Sequence, residues 1–113
     1  MPDCLFCRIA SGEIPATVVL ESDRTLAFRD INPMAPVHVL VIPKEHYPNL
    51  ATLAGNESLL AEVAAQADEV AKAEGIEQDG YRVVFNTGGH GGQSVFHVHA
   101  HVLGGRQLTW PSG

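Results

Sequence analysis

Apolar residues recur along this chain with two different periods. Leu59, Leu60, Val63, Ala67, Val70 and Ala71 fall three or four apart, which predicts one long helix with an apolar face. Asn56 is placed to cap it, Glu57 to begin it and Gly75 to end it; its acidic residues and Lys72 take the other face. A short helix is expected from about Cys4 to Ala10. Asp3 would cap it, Leu5, Phe6 and Ile9 would form its apolar side, and Gly12 would end it. Elsewhere the apolar runs are short, β-branched and bounded by turn residues. They predict strands at 18–21, 26–30, 38–42 and 81–86, with a hairpin turn at Asp23-Arg24. Pro33 and Pro36 keep 31–36 out of regular pairing, and 44–48 reads as loop. The sum is an α+β domain: about five strands, largely antiparallel because their connections are short, with one long helix on a face and a short N-terminal helix.

The last strand carries the candidate chemistry. In Ser94-Val95-Phe96-His97-Val98-His99-Ala100-His101-Val102, three of the chain's six histidines alternate with small or branched apolar residues. On a strand running to Leu103, His97, His99 and His101 would share one face, with neighbours about 6–7 Å apart, and Phe96, Val98, Ala100 and Val102 would face the core. The loop Thr87-Gly88-Gly89-His90-Gly91-Gly92 feeds directly into it. Glycine lets a backbone approach a ligand without a Cβ in the way, so Gly91-Gly92-Gln93-Ser94 could cradle an anion beside the imidazoles. It is not a P-loop, for it lacks the Gly-Lys-Ser/Thr ending.

Composition narrows the partners. A length of 113 residues suits one domain spanning 1–113, and 45% hydrophobic content is ordinary for a globular chain. No stretch is long and apolar enough for a membrane span, and the first residues do not resemble a signal peptide, so a cytoplasmic protein is expected. A net charge of −6 with seven basic residues argues against nucleic acid as partner. An anionic ligand must then be held by local donors.

The two cysteines, Cys4 and Cys7, are too few and too close for a disulfide scaffold. They read either as a redox dithiol, though no βαβ unit precedes them, or as half of a zinc site needing two more ligands. His-x-His on a strand is itself a legitimate metal pair, so a hydrolase with zinc on His97, His99 and His101 is a rival reading. Asp30 at a strand end is either a turn cap or a carboxylate for a ribose diol. His38, opening an apolar strand, is by itself an ordinary structural histidine.

His97-Val98-His99-Ala100-His101-Val102-Leu103 resembles the signature of the histidine triad (HIT) family. The preceding Gly-Gly-Gln-Ser, the following Leu-Gly-Gly-Arg-Gln and the Trp-Pro end resemble its Hint branch, and the likeness runs from Leu5-Phe6-Cys7-Arg8-Ile9 through Asp30-Ile31 and Ala35-Pro36-Val37-His38 to the tail. The resemblance implies a homodimer that hydrolyses purine nucleoside 5′-phosphoramidates at the α-phosphate. It implies His99 as nucleophile, forming a nucleotidyl-histidine, with His101 and Ser94 at the phosphate or the departing group and His38 supporting the nucleophile. Asp30 and Asn86 would take the ribose, and Gly92, Gln93, Ser94 and Val95 the phosphate. Leu5, Phe6, Ile9, Phe28 and Ile31 would form the base pocket. It also completes a structural zinc set: Cys4, Cys7, His46 and His97. A related branch acts on dinucleotide polyphosphates, and a nucleotide-binding scaffold with little turnover is the non-enzyme alternative. Nothing in the resemblance gives His90 a role.

Overall fold

The computed structural model describes residues 3–113. Elements follow the order α1 (Leu5–Ala10), β1 (Val18–Glu21), β2 (Thr25–Arg29), β3 (Val37–Pro43), α2 (Leu50–Leu53), α3 (Glu57–Ala73), β4 (Tyr81–Phe85) and β5 (Ala100–Gly104). The strands form one antiparallel sheet in the order β1-β2-β3-β5-β4, so the α+β class and the five strands are as expected. No helix among the described residues is long and apolar enough to cross a membrane.

Period-two alternation gives the sheet two working faces. Ala27, Val39, Val41, Ala100 and Val102 face α3 and pack on Leu59, Val63, Ala67, Val70 and Ala71. Asn56 caps α3 by accepting from the Leu59 N–H, and Gly75, at φ +71°, supplies the left-handed turn after it. The alternate residues Leu26, Phe28, Leu40 and Ile42 form a second cluster with Phe6 of α1. The site lies on this second face.

Three local expectations are corrected. Asp3 does not cap α1; Cys4 is the N-cap, its Sγ accepting from the Cys7 N–H at 3.3 Å. The histidine strand does not run from Ser94: β5 begins at Ala100. Its pairing to both neighbours stops there, at Val41↔Ala100 and Phe85↔Ala100. The Val98 N–H, freed from a ladder, donates instead to the Tyr47 carbonyl at 2.7 Å. Phe96, expected to face the core, is 60% exposed as a result. The one-turn α2 was not foreseen; a reciprocal cap between Asn49 and Thr52 makes it.

Candidate active site and metal centre

With the strand cut short, the three triad histidines do not share a face. His97 is fully buried and turns away from the other two. Its Nε2–H donates to the Pro43 carbonyl at 2.7 Å, which leaves Nδ1 as a lone pair. That lone pair meets Cys4 Sγ at 3.3 Å, Cys7 Sγ at 3.5 Å and His46 Nδ1 at 3.2 Å. His46 Nδ1 lies 3.5 Å from Cys7 Sγ. Four donors on a tetrahedral zinc, at about 2.0–2.3 Å from it, are about 3.3–3.8 Å from one another. The observed separations fit such a centre, and so does the two-sulfur, two-nitrogen chemistry. Burial, together with the hydrogen bond and charge of Cys4, pushes the Cys7 thiol up to about 11, and burial pushes His97 down to about 4. A cation reverses the first cost, since it binds the thiolate.

His99 and His101 instead line a cavity of about 730 Å³ on the second sheet face. His99 is 7% exposed, and its Nδ1–H donates to the His97 carbonyl at 2.8 Å. The proton is thereby held on Nδ1, and Nε2 carries the lone pair. The Phe6 ring stands edge-on against His99 at 5.1 Å between centroids and against His97 at 6.1 Å. Burial holds His99 below the usual imidazole range, in its neutral, nucleophilic form.

A second histidine pair fixes another proton. The Met34 N–H donates to His38 Nδ1 at 3.0 Å, so neutral His38 carries its proton on Nε2. That atom is 2.9 Å from His101 Nδ1 and 3.5 Å from Asp30 Oδ2. His101 Nδ1 therefore accepts, and its own proton sits on Nε2. The Asn86 amide lies 3.5 Å from His101 Nε2. Register explains the pairing: His101 opposes Leu40 and His38 opposes Leu103, so the two imidazoles are diagonal neighbours on one face. Burial, reinforced by His99 and His38, pushes His101 down to about 4, and burial lowers His38 as well. Asp30, His38 and His101 together could also hold a cation. The rival set of His97, His99 and His101 does not form: His97 belongs to the other cluster.

Of the expected nucleotide-binding residues, Leu5, Phe6, Ile9, Phe28, Asp30, Ile31, Ser94, Val95, His99 and His101 line the cavity. Ile31 is 92% exposed at its rim. Asp30 Oδ1 accepts from the Asn32 N–H at 2.8 Å. Asn86, Gly92 and Gln93 are not among the lining residues. Gln93 is 7% exposed and turned into its own loop: Oε1 accepts from the Gly88 N–H, and Nε2 donates to the Pro48 and Val95 carbonyls. Pro15, Ala16, Thr17, Arg29, Asn32 and Leu40 complete the wall. Alternation from Leu26 and Phe28 could have pointed to Leu40; the irregular 15–17 segment carries no such signal.

The HIT domain family model matches residues 11–108. The chain belongs to the HIT family. It is 52% identical to a 14 kDa zinc-binding protein of Zea mays, over 96% of this chain and 87% of that one. A HIT family hydrolase from Legionella pneumophila superposes with a TM-score of 0.95 at 54% identity, covering 98% of this chain and all of the other. A histidine triad nucleotide-binding protein from Candida albicans gives a TM-score of 0.82 at 32% identity, over 98% of this chain and 85% of that one. In this HIT chain the triad is divided: its first histidine serves the four-donor cluster, and the other two serve the cavity.

Proposed function

We propose that the protein hydrolyses purine nucleoside 5′-monophosphoramidates by covalent catalysis at His99, in the manner of the Hint branch. The observation that carries this reading is the 2.8 Å bond from His99 Nδ1–H to the His97 carbonyl, which presents the Nε2 lone pair to the cavity. A nucleotide in the cavity would set its base against Phe6, Ile9 and Phe28 and its ribose near Asp30. Its α-phosphate would lie beside Ser94 and His99. His99 Nε2 attacks phosphorus as the P–N bond to the amine breaks. The departing nitrogen, protonated from solvent, leaves as the neutral amine, while the uncharged His101 donates its Nε2–H to a phosphoryl oxygen. The proton taken up is returned to solvent when water attacks. Water then attacks the nucleotidyl-imidazole and releases the nucleoside monophosphate. One P–N bond replaces another in the first step, so the substrate's activation is kept in the intermediate until water discharges it.

Zinc on Cys4, Cys7, His46 and His97 would be closed and tetrahedral, supplying order rather than chemistry. The test is direct. Protein incubated with adenosine 5′-monophosphoramidate should release AMP, followed by phosphorus NMR. His99→Ala should lower turnover by at least about a thousandfold, with nucleotide affinity changed by less than about threefold. Full activity in that variant, or binding without any AMP release by the unaltered protein, contradicts the proposal; the latter result favours a nucleotide-binding scaffold.

A further inference from the structure

The loop after β3 touches both halves of the site and the metal cluster in three consecutive residues. His46 offers Nδ1 to Cys7 Sγ and His97 Nδ1 at 3.5 and 3.2 Å. The Tyr47 carbonyl accepts from the Val98 N–H at 2.7 Å. The Pro48 carbonyl accepts from Gln93 Nε2 at 2.7 Å. The middle contact is the telling one. The Val98 N–H and the His97 carbonyl belong to a single planar peptide unit. Its N–H is held by Tyr47 and its oxygen holds His99 Nδ1–H at 2.8 Å. The plane cannot turn without breaking both bonds. The outer contact reaches the glycine loop: Gln93 donates also to the Val95 carbonyl at 3.0 Å and accepts from the Gly88 N–H at 3.0 Å.

We propose that His46-Tyr47-Pro48 is a positioning segment, by which order at the Cys4/Cys7/His46/His97 cluster fixes the tautomer of His99 and the shape of the glycine loop. The inference rests on the reading of His99 as nucleophile. When His46 and His97 lose their common partner, the segment is released at His46, and His97 is held only by its Nε2–H on the Pro43 carbonyl at 2.7 Å. His99 Nδ1–H then lacks a fixed acceptor, and the imidazole divides between its two neutral forms. In one of them Nε2 is protonated and cannot attack. The Asn56 Nδ2 donor on the Tyr47 hydroxyl, at 3.1 Å, keeps the ring in place meanwhile, so the fold need not follow.

The experiment reads imidazole ¹⁵N shifts of His99 in the zinc-loaded, chelated and zinc-restored protein. Loaded and restored protein should show the single Nδ1–H form, and chelated protein a mixture. Turnover of the phosphoramidate should fall about ten- to hundredfold in kcat, with KM raised as the glycine loop loosens. An unaltered Nδ1–H signature after chelation, in protein whose backbone spectrum stays folded, overturns the proposal. Should chelation unfold the chain, zinc-loaded Gln93→Ala decides instead. It should speed exchange of the Gly88 amide and raise KM about tenfold, leaving the His99 signature intact; no change in exchange and KM overturns the proposal. A tautomer change without any phosphoramidase activity would leave the positioning role standing and remove the proposed function alone.

Discussion

His97, His99 and His38 each have a proton assigned by a backbone partner, and His101 takes its assignment from His38. The His97 carbonyl takes the Nδ1 proton of His99, and the Met34 N–H puts the His38 proton on Nε2. Main-chain donors and acceptors cannot change identity, so these assignments hold wherever the rings are neutral. Burial keeps them so. The unfolded chain binds a proton at His101 near the ordinary value of about 6.5, the folded chain only near 4. The unfolded state therefore takes up the proton first. Stability contributed by neutral His101 is complete above about pH 6.5 and is lost as pH falls toward 4. The imidazole proton shifts of His101 should titrate with a midpoint near 4; a midpoint near the ordinary value contradicts the burial account. His38 was expected to support the nucleophile. Its contacts are to His101 and Asp30, so its influence on His99 passes through His101.

At the scale of elements, the long helix and four of the strands could be read in the sequence because apolar spacing alone decides them. The stretch 94–99 could not. Alternation there is real, but no partner strand pairs with it, and a loop carbonyl takes its amide hydrogen bond. The same difference explains the site: the sequence showed which histidines matter and hid the division of labour among them. The cluster of Cys4, Cys7, His46 and His97 was reached through the family likeness, since no spacing rule links residues this far apart. Gln93, expected at the phosphate, has its side chain turned into the loop, which it braces. That loop depends on Gly91, where a Cβ would collide with the Thr87 carbonyl oxygen, and on Gly92 at φ +82°. Gly91→Ala must push the loop aside and with it the Ser94-Val95 wall. It should lower kcat/KM about ten- to hundredfold with little change in melting temperature. Activity equal to that of the unaltered protein shows that the wall does not position substrate.

Across the whole molecule, the sheet separates two tasks. One face and α3 form a dry core, and the other holds chemistry above Phe6, Phe28 and Leu40. The homodimer implied by the family resemblance is consistent with β4 at the sheet edge, where Val83 is 40% exposed. Sedimentation equilibrium should give twice the chain mass of 12.1 kDa; a monomer at micromolar concentration contradicts a stable dimer. The central claim is the lone pair of His99 Nε2 aimed at phosphorus, and mass spectrometry of protein quenched without acid during phosphoramidate turnover tests it most directly. The account predicts a nucleotidyl group on the peptide that carries His99, localised to that residue by fragmentation. Steady turnover with no adduct, or an adduct on any other side chain, contradicts it.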